Sequence, residues 1–212
     1  MRLRAILALC LLLCAAAPAA QAAQQTGTLD FTVLRDGDAI GNNKISFQTT
    51  SDEFDVTVDT NIVVKIAMIP VYRFEHHGQE RWQNGRLFSL SSRTNDDGKH
   101  HFLSVHPDAG QLRIDGDGRQ ALIDSASIPA SLWNAALVRQ TQLLNTLDGS
   151  AMAVKIDDLG QETVSVHGIP VSARHYSVSG DLKREVWYDG DDRLVRVQFK
   201  ADDDTKIEYV LK

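Results

Sequence analysis

The stretch from Pro70 to Gly98, PVYRFEHHGQERWQNGRLFSLSSRTNDDG, contains a motif that returns near the C-terminus. The two copies of this Glu-x-Trp-x-x-Gly motif are Glu80, Trp82 and Gly85, then Glu185, Trp187 and Gly190. Each glycine follows an Asn or an Asp, a pairing typical of tight β-hairpin turns in which φ is positive. The motif therefore predicts β-hairpins around one core, with the tryptophans as buried anchors. An internal duplication would explain the repeat, and so would two hairpins with the same packing requirement.

Apolar and polar residues alternate through most of the chain. Two examples are the triplets Leu29, Phe31, Val33 and Phe54, Val56, Val58. A period of two residues indicates strands with one buried face and one solvated face, which is the pattern of antiparallel rather than parallel sheets. The links between the strands are short, and Asp36-Gly37 is one of them, so they leave no room for crossover helices.

The segment from Ile62 to Tyr72 departs from this alternation, because only Lys65 and Pro70 interrupt its apolar residues. One interpretation is a strand or strand pair buried in the core, with Pro70 at a bend or an edge. The other is an exposed lip that contacts a lipid-like ligand or a partner.

Apolar residues adopt i, i+4 spacing between Ser127 and Leu147, as in Leu132, Ala136 and Trp133, Leu137. This spacing predicts a helix over about 129–138, with a further extension to Thr146. The expected fold is mainly β: an antiparallel curved sheet or open half-barrel of about eleven strands. One short helix is expected to pack on its concave side, since an open curved sheet needs a cover over its apolar face.

The N-terminus has the three regions of a secretory signal peptide: basic Arg2 and Arg4, an apolar run over Ala5–Ala17, and a small-residue site ending at Ala22. We therefore expect a signal peptide over 1–22, a single β half-barrel domain over 23–212, and a periplasmic location for the mature chain. No later stretch reaches the ~20 apolar residues that a membrane-spanning helix needs.

Both cysteines, Cys10 and Cys14, lie in the apolar run, so the predicted mature chain is cysteine-free and has no thiol chemistry. Lipid attachment at Cys14 is disfavoured because Leu13, rather than a small residue, precedes it. The full chain carries a net charge of −6, which becomes −8 without Arg2 and Arg4. Such a chain is a poor candidate for binding nucleic acid or an anionic membrane surface, both of which need dense positive charge.

Five histidines cluster within 31 residues: His76, His77, His100, His101 and His106. If their two strands paired, one imidazole from each could join Glu75 or Glu80 in a metal site, but no helical or other ligand spacing supports one. Exposed polar positions on the strands are the favoured explanation of the cluster, and we expect no bound metal. The sequence contains no nucleophile elbow, phosphate loop or dinucleotide fingerprint, so no catalytic residue and no cofactor are predicted.

The predicted mature chain carries a set of spaced motifs: Phe31-x-Val33-x-x-Asp36-Gly37-x-x-Ile40-Gly41, Glu80-x-Trp82, Thr94–Gly98, Ile128-Pro129 with Trp133-Asn134, Gly180-Asp181-Leu182, Trp187-Tyr188-Asp189 and Tyr209-x-Leu211. In these motifs it resembles a family of exported bacterial proteins that is known only as a domain of unknown function. The resemblance implies no established activity, and it transfers no catalytic residue. The layout also resembles, more loosely, the half-barrels of the outer-membrane lipoprotein carriers, in which a concave apolar face under a helical segment holds acyl chains.

These observations favour a periplasmic binding or carrier module for an apolar, lipid-like ligand. One alternative is a structural or interaction protein whose barrel is filled by its own side chains, and another is a metal-dependent enzyme that uses the clustered histidines. The predicted ligand cavity lies between the strands around 62–74 and the helix. Its predicted lining residues are Ile66, Met68, Tyr72, Phe74, Leu132, Trp133 and Leu137.

Overall fold

The structure, a computed structural model, describes residues 25–50 and 53–212, so the predicted signal peptide and both cysteines lie outside the described residues. Fourteen β-strands and one short 3-10 helix account for the secondary structure of the described chain. The strands are β1 (Gly27–Arg35), β2 (Asp38–Thr49), β3 (Phe54–Ile66), β4 (Ile69–Gln83), β5 (Arg86–Asp96), β6 (Lys99–Asp108), β7 (Gln111–Gly116), β8 (Arg119–Ile123), β9 (Gln142–Leu144), β10 (Ala151–Val166), β11 (Ile169–Gly180), β12 (Arg184–Tyr188), β13 (Leu194–Lys200) and β14 (Lys206–Leu211).

All fourteen strands belong to one antiparallel curved sheet, in the order β8-β7-β6-β5-β4-β3-β2-β1-β14-β13-β12-β11-β10-β9. The first and last strands pair near the middle of this order, with Phe31 opposite Leu211, and the Lys212 backbone N–H donates to the Asp30 carbonyl at 2.9 Å. The sheet remains open because β8 and β9 form its two edges. The prediction of an antiparallel curved sheet is thus confirmed, whereas the expected number of about eleven strands was too low.

The concave face of the sheet carries the core, as the alternation predicts. Phe31 and Val33 are fully buried, and Leu29, Ile45 and Val56 are each 1% exposed. Burial of large side chains of this kind stabilises a fold by about 1.5–3 kcal/mol each relative to exposure.

The chain between β8 and β9, residues 124–141, crosses the concave face and is called here the internal segment. Its position as a cover is as expected, but the predicted helix over 129–138 is wrong. Only Ala135–Arg139 is helical, as a 3-10 turn capped by Asn134, whose Oδ1 accepts from the Ala136 N–H at 3.0 Å. Pro129 instead forms a parallel bridge with Leu144, and Leu132 has a φ of 67°. Strand-type bonds to β9 therefore replace the helical ones.

The segment 62–72 forms the outer part of the β3–β4 hairpin, which extends beyond its neighbouring strands. Ile62 is buried, but Ile66, Met68 and Ile69 are 62%, 84% and 66% exposed. The two turn residues, Ala67 and Met68, both have positive φ, 48° and 71°, as a type I′ turn requires. A buried strand pair is therefore wrong for the tip, which is an exposed apolar lip.

Among the described residues, no helix combines the length and the apolar character that crossing a membrane would require.

Candidate functional site

Trp133 of the internal segment fills the centre of the half-barrel. Its ring contacts those of Phe47, Phe54 and Trp82 in edge-on geometry, with centroids 5.5–5.6 Å apart. Trp133 is 1% exposed, and the neighbouring Leu137 is fully buried. The centre of the molecule is therefore packed by side chains, and space for a ligand lies at the two ends.

A buried carboxylate organises this aromatic cluster. Glu80 is 3% exposed, and its Oε2 accepts hydrogen bonds from the indole N–H groups of both Trp82 and Trp133 at 2.9 Å. Burial raises the pKa of the Glu80 carboxyl above its ordinary value, although the two indole bonds act in the opposite direction. Glu80 thus joins strand β4 to the internal segment through its bond with Trp133.

A cavity of about 350 Å³ opens at the end of the half-barrel from which the β3–β4 hairpin projects; we call it the Phe74 cavity. It lies between the concave face and residues 130–132 and 145–147. Its volume is within the ~300–1,000 Å³ typical of small-molecule sites. Most of its wall is apolar, including Ile45, Val58, Phe74, Leu132, Met152 and Leu194.

A second cavity, of about 480 Å³, lies at the opposite end and is called here the Arg139 cavity. Trp133 and Tyr188 line it, and the Tyr188 hydroxyl donates to the Leu132 carbonyl at 2.6 Å. Its lining also includes the polar and charged residues Gln161, Arg174, Asp189 and Asp192. The Phe74 cavity is therefore better suited to an apolar ligand.

One half-buried cation lies in the wall of the Phe74 cavity. The guanidinium of Arg184 lies over the Phe199 ring, with Cζ 3.7 Å from the centroid, and its Nη1 donates to the Lys183 carbonyl at 2.7 Å. Within the described chain, no carboxylate lies within 4.0 Å of it. Burial lowers the pKa of the Arg184 guanidinium, which remains protonated because its ordinary value is so high.

The seven predicted lining residues fall into three groups. Phe74 and Leu132 line the Phe74 cavity, whereas Trp133 and Leu137 are buried in the packed centre, and Trp133 also faces the Arg139 cavity. The other three, Ile66, Met68 and Tyr72, lie on the exposed hairpin tip, and the Tyr72 hydroxyl donates to Asp96 at 2.8 Å. The strand that carries Phe74 therefore connects the cavity to the tip, but the cavity does not reach the tip.

The sequence reasoning missed the contribution of the C-terminal half to the Phe74 cavity. Arg184, Tyr209 and Asp181 all line it. A signal for Arg184 is present in β12, where it shares the alternation phase of Val186 and Tyr188, both of which are buried. A charged residue at a strand position that points to the apolar face is not explained by packing alone, so its presence indicates a functional role.

The histidines do not converge as the metal hypothesis required, because β5 lies between the strands of His76 and His101. His76 Nδ1 lies 2.7 Å from Thr94 Oγ1, and His101 pairs with Asp117. Burial lowers the pKa of His76 to about 4, so its imidazole is neutral at pH 7. Over residues 25–50 and 53–212, no group of three potential ligands is placed to hold a metal ion.

The second Glu-x-Trp motif differs from the first in its surroundings. Trp187 is buried as predicted, but it faces away from the internal segment, because its neighbour Tyr188 contacts that segment. Its indole N–H donates to Glu162 at 2.9 Å, and its ring stacks on His175 at 4.0 Å. Glu185 pairs with His175 rather than with a tryptophan. The two copies therefore lie on opposite faces of the sheet and make different contacts.

Comparison with known proteins supports the architecture. No curated protein matches the sequence. The fold is similar to a crystal structure of a beta-barrel-like protein of domain of unknown function DUF1849 from Brucella abortus, with a TM-score of 0.57 and 12% identity, covering 87% of this chain and 94% of that one. The family model described as domain of unknown function (DUF6134) matches residues 31–212. Since this match covers most of the chain, the protein belongs to the DUF6134 family.

Proposed function

We propose that this protein is an exported binding or carrier module for an apolar, lipid-like ligand, and that the Phe74 cavity is its binding site. The observation that carries the proposal is the cavity itself: about 350 Å³ of space between an apolar sheet face and the internal segment. A cavity walled by apolar side chains gains free energy when an apolar ligand displaces water from it.

The exposed hairpin tip adds support. Met68 and Ile69 expose most of their surface on the same hairpin that contributes Phe74 to the cavity. Contiguous exposed apolar side chains are typical of surfaces that meet an apolar ligand or a partner. A ligand that leaves the cavity at this end would therefore pass close to apolar side chains rather than directly into water.

A titration with a fluorescent fatty acid tests this proposal. Met152 lines the cavity and is partly buried, so Met152→Trp places a larger ring there. Met68→Trp is the matched control, because the same substitution then falls on a side chain that is 84% exposed. We expect saturable micromolar binding in the wild type and in Met68→Trp, with at least about a tenfold loss in Met152→Trp, equivalent to about 1.4 kcal/mol.

A filled-barrel protein without a ligand is the second candidate, and it is favoured by the packed centre around Trp133 and Leu137. It predicts no saturable binding by the wild type and equal behaviour of the two tryptophan variants. Circular dichroism of both variants confirms that any lost binding occurs in folded protein.

A further inference from the structure

We propose that the ligand of the Phe74 cavity is an amphiphile with a single acidic head group, and that the head group pairs with Arg184. This inference rests on the proposed function, and it names the chemical class of the ligand. It follows from the surroundings of one side chain, compared with those of the other arginines.

Arg184 alone among the described arginines is neither exposed nor paired with a carboxylate. The half-buried arginines other than Arg184 have acidic partners, such as Arg196 with Glu208, and so do several exposed ones, such as Arg174 with Asp158. Those without a partner are exposed to water: Arg93, Arg119, Arg139 and Arg193. Since charges that are withdrawn from water are normally paired in proteins, the half-buried guanidinium of Arg184 lacks the anion that such a position calls for.

The aromatic ring beneath Arg184 fixes how the guanidinium can bind. With Cζ only 3.7 Å from the centroid of Phe199, one face of the planar group is covered. Binding must therefore occur at the N–H edge, where one of five donors is already used by the Lys183 carbonyl. The remaining donors suit a carboxylate or a phosphate, each of which accepts two parallel hydrogen bonds from a guanidinium.

The other titratable side chains of the cavity leave this positive charge in place. Asp181 lines the cavity but lies more than 4.0 Å from Arg184, and its Oδ2 accepts from the Ala153 backbone N–H at 2.8 Å. Lys183 adds a second cation, and His76 is neutral at pH 7. The cavity wall therefore carries one net positive charge beside its apolar surface, which matches a monoanion with an apolar tail.

Three ligands with the same alkyl chain test the inference: lauric acid, lauryl alcohol and laurylamine. Each competes with the neutral probe N-phenylnaphthylamine for the folded wild-type protein at neutral pH. We expect laurate to bind at least about tenfold tighter than the alcohol, because a charge-assisted bond contributes more than a neutral one. The amine should bind most weakly.

Two variants assign the preference to the side chain. Arg184→Met should bring laurate and lauryl alcohol to within about twofold of each other, while Arg193→Met, at an exposed turn, should keep the wild-type preference. If Arg184→Met does not fold, Arg184→Lys provides the comparison: it keeps the charge but loses the paired hydrogen bonds, so the preference should shrink but persist.

The outcomes separate this inference from the proposed function. Equal binding of laurate and lauryl alcohol by the wild type overturns the role of Arg184 and leaves the apolar site in place. A preference for the amine also overturns it. Failure of all three amphiphiles to displace the probe, or of the probe to bind, overturns the proposed function itself.

Discussion

The single carboxylate oxygen of Glu80 that accepts both the Trp82 and Trp133 indole N–H groups is the smallest feature on which the site depends. Both donors are buried with their tryptophans, so neither can turn to water if the carboxylate is removed. A buried donor without a partner costs about 1–3 kcal/mol. The packed centre that separates the two cavities is therefore sensitive to this residue.

Glu80→Ala should destabilise the protein by roughly 2–5 kcal/mol in urea denaturation, because it leaves two buried N–H groups without acceptors. Glu80→Gln should cost much less, since its amide oxygen can still accept both bonds. Equal free energies of unfolding for the two variants would show that the carboxylate does not hold the tryptophans.

The ionisation of Glu80 gives a second prediction. Burial raises its folded pKa above the unfolded value, so the unfolded chain loses the proton first and the stability contribution falls as pH rises. The wild type should therefore lose stability relative to Glu80→Gln from about pH 4.3 upwards, until the raised folded pKa is passed. The measurement is the free energy of unfolding of both proteins across this pH range.

Glu162→Gln is the matched control for this experiment. Glu162 also accepts an indole N–H at 2.9 Å, from Trp187, but it is exposed. Its substitution makes the same carboxyl-to-amide change on an indole acceptor that water can reach. A wild type that parallels Glu80→Gln at every pH would contradict a raised pKa for Glu80.

At the scale of single elements, the β3–β4 hairpin has a tight turn whose residues give no turn signal in the sequence. Its turn residues Ala67 and Met68 have φ values of 48° and 71°, nearly the same as the 51° and 72° of Asn84 and Gly85 in the next hairpin. Asn-Gly is the preferred pair for such a turn, whereas Ala-Met carries no turn signal. The boundary between β3 and β4 could therefore not be recognised within the apolar run 62–72.

This comparison predicts a stabilising double substitution. Ala67→Asn with Met68→Gly should raise the free energy of unfolding by about 1 kcal/mol, because both residues then tolerate positive φ. Little packing is lost, since Met68 is 84% exposed. The reverse change at the neighbouring turn, Asn84→Ala with Gly85→Met, should destabilise in the same thermal unfolding assay. A neutral or destabilising result at 67–68 would contradict the strain argument.

The internal segment misled the sequence reasoning for a different reason. The i, i+4 spacing of Leu132, Ala136, Trp133 and Leu137 resembles one face of a helix. In the structure, however, the segment lies inside the half-barrel and needs apolar side chains in several directions, so spacing alone does not determine its backbone. The bridge between Pro129 and Leu144 satisfies backbone groups that a helix would have bonded internally.

At the scale of the whole molecule, alternation along the strands predicted the antiparallel sheet with one apolar face, and the interruption of that alternation between Ser127 and Leu147 predicted the cover. The alternation could not predict that β1 pairs with β14, because the paired residues, such as Phe31 and Leu211, are far apart in the sequence. The same limit applies to the lining of the Phe74 cavity. Phe74 and Leu132 were among the predicted lining residues, whereas Arg184 lies on a C-terminal strand that reaches the cavity only through long-range strand pairing.

Export is a prediction that rests on residues 1–22. If residues 1–22 are a signal peptide, protein recovered from the periplasm should begin at Ala23 and carry no lipid on Cys14. Intact-mass measurement with N-terminal sequencing checks both points. A chain that retains Met1, or that begins at an acylated Cys14, would contradict this assignment.

Native mass spectrometry of the gently purified protein tests the central claim most directly, because it detects what occupies the half-barrel. We expect one lipid-sized acidic species per chain, or one laurate after incubation, with loss of that species in Met152→Trp and retention in Met68→Trp. A chain that remains bare before and after incubation with laurate would contradict this expectation and would leave the protein a structural module with a filled barrel.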